Sequence, residues 1–448
     1  MSQIVLTVSI DTELCKGSMA CVQSCPAEAI RVRNGKAVIL DELCVDCGEC
    51  IQICPNSAIK PQMSSFIDLS QYKYTIAIPS PVLYGQFDRK IDPSSILEAL
   101  CQIGFDDAVD VTYYCESVSL VIREFLSTYH GPVPLISPFC PAVVRLIQNR
   151  YPDLRELLLP IESPMEICAR EHKLKRSKEF NIPQEEIGAV YITPCPAKIT
   201  SILYPPRKEK SFLNGGISIS GIYNSLLSVL ASFGKNAKFG DPANRDISGI
   251  GVGWAVLGGE AKSLRAENTL AVSGLHNVIR ILDDIEKGRL RDLEYVECLA
   301  CPEGCVGGSL TVDNPYISRS KIIRLTEQFG ELAAQNWNNI KDLYDKDHFF
   351  LAQEIPAIPR KPLDKDIGVA IQKMKMRDEI IKSLPRTDCG ACGAPTCASF
   401  ARDVVNGDAD VNMCVFKVYE KINNISSQLT ELLNGSIFMS TRNHGGKS

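Results

Sequence analysis

The chain has 448 residues, 45% hydrophobic and 23% charged, with a formal net charge of −5 at pH 7. That length supports two to four domains with at least one large core, and the composition excludes a disordered chain. No apolar run reaches the ~20 residues that span a bilayer, and no basic block suggests a nucleic-acid partner. The start lacks a charged region, a long apolar stretch and a small-residue cleavage site, so a cytoplasmic location is expected. The 19 cysteines fall in tight groups beside Gly and Pro. Disulfides belong to oxidising compartments and small secreted domains, so this grouping points to metal ligation.

Residues 1–66 read as an α+β two-cluster ferredoxin domain. "CVDCGECIQICP" gives Cys44, Cys47, Cys50 and Cys54 followed by Pro55, the C-x2-C-x2-C-x3-C-P run of bacterial ferredoxins. Upstream, "CKGSMACVQSCP" repeats the frame with Cys15, Ser18, Cys21 and Cys25. The fourth Cys of each run crosses to the other cluster. One cluster is therefore expected on Cys44, Cys47, Cys50 and Cys25, the other on Cys15, Cys21, Cys54 and Ser18. A serine hydroxyl is a far weaker acid than a thiol, so the second cluster is Ser-ligated, three-iron or labile; a lost cluster and zinc are the bland alternatives.

Residues 67–350 alternate strand-like runs ("YTIAIPS", "GAVYITP") with helix-like ones ("SSILEALCQIG", "PAVVRLIQNRY"). This argues for an α/β domain whose ligands sit at strand ends. Cys140 precedes Pro141 at a helix start, and Cys195 lies between two prolines with Lys198 three residues on. "VECLACPEGCVGG" adds Cys301 and Cys305. Cys140, Cys195, Cys301 and Cys305 have the right number for a cubane gathered from three loops, although either of the first two alone would more often be a buried small hydrophobe.

The order of these motifs over about residues 1–330 resembles the FeFe-hydrogenases. The resemblance implies an H-cluster: a 4Fe–4S unit on the four cysteines, bridged by Cys305 to a two-iron subcluster with CO, cyanide and a dithiolate. It places Lys198 and Ser80 on the cyanide ligands. Several positions depart from the family. Phe139 stands where a proton-relay cysteine precedes Cys140, Ser119 where a second glutamate is usual, and Leu159 where a relay serine is usual. Glu116 and Arg123 match. Thr193 and Leu299 replace methionines, and Ser309 and Leu310 shorten the glycine-rich tail of the last loop. Electron ligands kept and a proton wire cut is the pattern of the sensory branch, with slow 2H⁺ + 2e⁻ ⇌ H2 chemistry and a redox or signalling protein as partner. Glu260, in "GVGWAVLGGEAKS", and Glu297 offer a second proton route; loop-capping carboxylates are the alternative. A fast metabolic hydrogenase and a non-enzymatic electron carrier without the two-iron unit are the rival readings. Lys198 argues against the carrier. Cys101, Cys115, Cys168 and Cys298 match no family ligand and read as structural thiols.

Residues 351–380, from "IPAIPRKPLDKD", read as a semi-extended linker. Residues 381–435 follow as a small 4Fe–4S domain with a C-terminal helix. Its ligands Cys389, Cys392, Cys397 and Cys414 resemble the cluster domain of corrinoid iron–sulfur proteins and of electron-transport subunits, with Val415 in place of the usual Pro. Such a domain is expected to be a separable module. Val418, Ile422, Ile425, Leu429 and Leu432 form a coiled-coil-like seam of about two heptads. It would serve equally to pack on its own domain or to pair two copies as a homodimer. Residues 436–448 read as a disordered tail.

Overall fold

The computed structural model describes residues 7–205, 210–233, 247–332, 337–358 and 362–442. The chain divides into two compact units. One comprises Met1–Ser9, Asp41–Gln52 and Ile59–Pro359; the other comprises Ile10–Leu40, Ile53–Ala58 and Arg360–Ser448.

The first unit is built on two parallel sheets. In one, the strands run in the order Asp107–Ala108, Tyr74–Pro79, Ile187–Thr193, Gly215–Ser218. All seven residues of Ile187–Thr193 are buried, as expected of a parallel strand covered on both faces. Alternate side chains enter different cores. Ile76, Ile78, Ala189 and Tyr191 pack on one side; Ala77, Val190 and Ile192 pack on the other. The second sheet runs Thr269–Ser273, Tyr295–Leu299, Leu135–Ile136. The expected helices form at Pro93–Gln102 and Pro141–Arg150.

In the second unit, the strands Ile30–Arg33 and Lys36–Ile39 pair antiparallel around Asn34-Gly35. Both turn residues have positive φ, the geometry favoured in two-residue hairpins. Helices Ile367–Ser383, Cys397–Asn406 and Val415–Arg442 belong to the same unit, with Leu384, Ala394, Phe400, Ala401 and Cys414 as a small core.

Three boundaries differ from the sequence reading. The ferredoxin stretch contributes to both units, because each half buries itself on a different neighbour. The linker begins as part of the first unit. Pro356 O accepts from Gln148 Nε2 at 2.8 Å, Ile355 O accepts from Arg155 at 3.0 Å, and Ile355 is buried. Proline donates no hydrogen bond, but the carbonyls around it still accept. The linker's second half is helix, from Ile367. The last helix also passes through Asn434-Gly435 to Arg442. One helical glycine costs only ~1 kcal/mol relative to alanine, too little to stop it alone. Residues 443–448 lie outside the described ones.

Candidate iron–sulfur and catalytic site

The ligand-bearing loops leave the C-terminal ends of three parallel strands, where ligands collect in open α/β sheets. Cys140 follows Leu135–Ile136 and caps helix Pro141–Arg150; Cys195 follows Ile187–Thr193 and caps helix Pro196–Leu203. Both helices begin with proline, whose missing N–H is no loss in a first turn. Cys301 and Cys305 follow Tyr295–Leu299. Gly304 between them has φ +95, and a Cβ there would stand 2.5 Å from Leu257 N; only glycine lets the loop lie this close. Thr193 braces the Cys195 loop, its hydroxyl donating to Cys195 O at 3.0 Å and accepting from Cys195 N at 3.2 Å.

The four thiols are near neighbours. Burial pushes Cys301 well above an ordinary thiol, and Cys195, Cys140 and Cys305 push it further. Cys305 is raised to about 12 by burial, against the pull of Lys198. Thiols so buried ionise only when a cation compensates them, and cluster iron does this. Burial works against the Lys198 ammonium, yet the Tyr191 phenol and the thiols of Cys305, Cys195 and Cys140 hold it above its usual value. Lys198, Ser80, Tyr191, Glu260 and Cys305 line one cavity. Ser80 is buried, and its backbone N–H is fixed on Ile192 O at 2.9 Å. Cys115, read from sequence as a structural thiol, also lines this cavity. Its place in a helix pattern gave no sign of that. Cys168 lies in the core, and Cys298 is buried beside Cys140.

The donor set fits an H-cluster. Cys305, the Lys198 ammonium and the Ser80 hydroxyl face one cavity, with Cys140, Cys195 and Cys301 grouped beside Cys305, and an anionic group carried on Cys305 would satisfy the ammonium. Ser309 Oγ is buried with no hydrogen-bond partner, and it lies where a Cβ on Gly48, next to Cys47, would stand; a cluster sulfur is a suitable acceptor. Cys47 also acts electrostatically on Cys301, so the ferredoxin loop bearing Cys44, Cys47 and Cys50 adjoins the four-thiol site. Among the described residues no three Cys, His, Asp or Glu side chains close on a single metal ion. A cubane's four thiolates bind separate irons and stand wider apart.

On the other side of the cavity, Phe139 and Leu159 belong to one apolar core with Val118, Ile122 and Tyr295. Phe139 packs on Trp254 at 5.1 Å. Ser119 turns to Ser263 at 2.8 Å and accepts from Trp254 Nε1 at 3.1 Å. Glu116 is raised by burial and held by Ser248 and by Leu332 N at 3.2 Å; it is not among the cavity-lining residues. Beyond Phe139 a second cavity of about 440 Å³ opens, lined by Val144, Arg145, Met165 and Tyr204.

Glu260 and Glu297 are both buried. Glu297 accepts from the backbone of Gly258 at 3.0 Å and Ala261 at 2.8 Å. Glu260 accepts from Ser137 Oγ at 3.0 Å and from the Tyr295 phenol. Burial raises both carboxyls, and Glu297 raises Glu260 further. Backbone N–H groups can only donate, which favours charge on Glu297. Hydroxyls can also accept, so Glu260 is the partner suited to holding a proton.

In the second unit, burial raises Cys21, with Cys15 and Cys54 as further causes, so these three thiols sit together. The two cysteine runs share backbone detail. Gly17 and Met19 flank Ser18 with positive φ, as Asp46 and Gly48 flank Cys47. Ala29 N–H meets Cys25 Sγ, and Ala58 N–H meets Cys54 Sγ, each at 3.3 Å. Ser18 thus occupies a ligand's backbone position, and it is exposed. Cys389, Cys392, Cys397 and Cys414 surround one small cavity, and Cys397 N–H is held by Asp388 at 2.6 Å.

Comparison with known proteins agrees with this layout. The family model "Iron only hydrogenase large subunit, C-terminal domain" matches residues 73–210 and 254–309. A "4Fe-4S dicluster domain" matches 7–55, and an Fe–S cluster family matches 384–416. The chain is 24% identical over 266 residues to iron hydrogenase 1 of Clostridium pasteurianum, covering 48% of this chain and 44% of that one; it thus spans less than half of that relative. It is 24% identical over 366 residues to the periplasmic [Fe] hydrogenase large subunit of Nitratidesulfovibrio vulgaris, covering 67% and 85%. A 38-residue stretch, 8% of each chain, is 45% identical to the corrinoid/iron-sulfur protein large subunit of Moorella thermoacetica. The solved [FeFe]-hydrogenase HydA1 of Chlamydomonas reinhardtii superimposes with TM-score 0.47 and 17% identity, covering 66% of this chain and 96% of that one. Fold and cysteine arrangement define a mixed α/β domain with cysteine-bearing loops at its strand ends. More particularly, it is an FeFe-hydrogenase-like catalytic domain flanked by Fe–S cluster domains. Among the described residues no helix is long and apolar enough to cross a membrane.

Proposed function

We propose that this chain is a cytoplasmic FeFe-hydrogenase interconverting 2H⁺ + 2e⁻ and H2, slowly enough that its redox state reports H2 to a protein partner. The grouping of Cys140, Cys195, Cys301 and Cys305, with Cys305 and Lys198 lining one cavity, carries this reading. When bound, the H-cluster supplies the redox chemistry of H2. The residues do the rest. Cys140, Cys195, Cys301 and Cys305 anchor the cubane, and Cys305 faces the cavity. Lys198 and Ser80 hold the anionic ligands of the two-iron unit, a half-buried ammonium at the cavity wall being suited to such a partner. Phe139 and Leu159 exclude water where the family carries its proton relay.

Protons then reach the cavity through Glu260, taken up at Oε1 or Oε2 and passed between Glu260 and Glu297, with Ser137 and Tyr295 fixing the carboxyl. The exposed seam Val418, Ile422, Ile425, Leu429 and Leu432 suits pairing of two copies in a homodimer; a monomeric wild type in sedimentation would refute that pairing. Gas exchange tests the chemistry. Maturated protein under H2 in D2O should form HD, and Cys305→Ser should form none. Absence of HD from the maturated wild type would overturn the reading.

A further inference from the structure

The motif around Cys389 and the Pro-rich stretch before it look like a tethered accessory, but the second unit is stitched together across that gap in sequence. Asp403, on helix Cys397–Asn406, is buried. It accepts from Arg31 Nε at 2.6 Å, Arg31 Nη2 at 3.2 Å and Arg33 Nη2 at 2.5 Å. Glu28 accepts from Ser399 Oγ at 2.5 Å and Thr396 Oγ1 at 3.2 Å. Val32 N–H donates to Gly393 O at 2.9 Å. Gly393 has φ +81, and a Cβ there would stand 2.1 Å from Val32 O, so the cysteine loop lies directly on the strand.

Two contacts reach the cluster ligands themselves. Gln23 Nε2 donates to Cys389 O at 3.2 Å, and Arg33 Nη1 donates to Cys392 O at 3.3 Å. Gln23 lies in the short helix Ala20–Ser24 with Cys21, whose thiol sits with Cys15 and Cys54. Two helical residues, one amide side chain and one hydrogen bond therefore link the ligands of the two sites. A buried ion pair gains little net stability but fixes one geometry. Here it fixes the approach of the Cys389–Cys414 site, whose thiols surround a small cavity, to the grouped thiols of Cys15, Cys21 and Cys54.

We propose that the C-terminal Fe–S domain is the outer terminal of the electron chain, clamped by Asp403 onto the Ser18-bearing half of the ferredoxin domain, with Arg33 and Gln23 as positioning residues. Loaded with clusters, Cys389, Cys392, Cys397 and Cys414 on one side and Cys15, Cys21 and Cys54 on the other would hold the two partners of a one-electron exchange, one group reduced as the other is oxidised, with no proton moved. Arg33 also tunes the couple. Its positive charge beside Cys392 stabilises the reduced, more negative cluster and raises the potential. The proposal deepens the hydrogenase reading by naming where electrons enter, but its test needs no H2.

The experiment is EPR on the full-length, cluster-loaded protein, reduced stepwise. In the wild type, and in Ser18→Cys with four thiolates restored, the signals of the two clusters should be broadened by mutual spin coupling. The coupling should vanish from the ferredoxin signal in a Cys397→Ser, Cys414→Ser double variant. Arg33→Gln should lower the midpoint potential of the C-terminal cluster and leave the others in place. Spectra that are plain sums of separate clusters, or an Arg33→Gln potential that does not move, would overturn the proposal. Coupled clusters in a protein that forms no HD would overturn the hydrogenase reading and leave this one standing.

Discussion

The two sides of the central cavity are built from different material. On the cysteine side, four strand ends deliver four thiols, a lysine and a serine, and the backbone is shaped to receive them, down to Gly304 at φ +95. On the other side, Phe139 and Leu159 belong to the hydrocarbon core, and Ser119 is tied to Ser263 and Trp254. One side demands cysteine spacing that admits few substitutes; the other has been closed with well-packed residues. On the proposed reading, proton supply rather than electron supply would set turnover.

The largest effects should follow damage to the cysteine side. Cys305→Ser and Lys198→Ala should each abolish H2 exchange and remove the CO and cyanide infrared bands of the two-iron unit. Retention of those bands in Lys198→Ala would show that the ammonium is not their partner. Next comes the clamp in the other unit. Asp403→Ala leaves the Arg31 guanidinium buried and unpaired, a change worth ~3–5 kcal/mol in comparable sites. Urea unfolding should register it, with loss of the C-terminal cluster's irons. A mild shift would show that the domain is separable after all.

On the proton side, Glu260→Gln should lower turnover ~100-fold, the lower range for a positioned acid–base group, with infrared bands in place. Glu297→Gln should fall less, since glutamine can still accept one backbone N–H. The pair also sets a pH slope. Burial holds Glu260 above the ordinary carboxylate value of 4.5, so the native state keeps a proton that the unfolded chain releases. This stabilisation is present below the unfolded pKa and is lost as pH rises through the folded one, at ~1.4 kcal/mol per pH unit between them. Thermal unfolding from acid toward neutral pH should show the slope in wild type and a flatter one in Glu260→Gln. The smallest effect should come from Phe139→Cys, which restores one relay position while Leu159 and Ser119 still interrupt the path. A gain near ~100-fold would mean that Phe139 alone is the block.

The cysteine runs of the flanking stretches were legible in the sequence because cluster ligation constrains spacing locally: C-x2-C-x2-C-x3-C-P and C-x2-C-x4-C are readable wherever they fall, whereas Cys140 and Cys195 come from separate strand ends. Strands such as Ile187–Thr193 were legible because a parallel strand buried on both faces is continuously apolar. The environment of Glu260 was not, since its partners Ser137, Tyr295 and Glu297 come from distant segments that only the sheet brings together. Cys115 was invisible as a cavity residue for the same reason. The clamp was hidden most deeply. Arg31 and Arg33 alternate with apolar residues like any hairpin facing water, and Asp403 lies 370 residues beyond Arg33.

The most direct measurement is infrared spectroscopy of the maturated wild-type protein, under H2 and then under CO. The account expects sharp bands of iron-bound CO and cyanide that shift between the two gases and that persist in Glu260→Gln. Loaded iron–sulfur clusters with no such bands would contradict it, leaving an electron carrier with a hydrogenase fold.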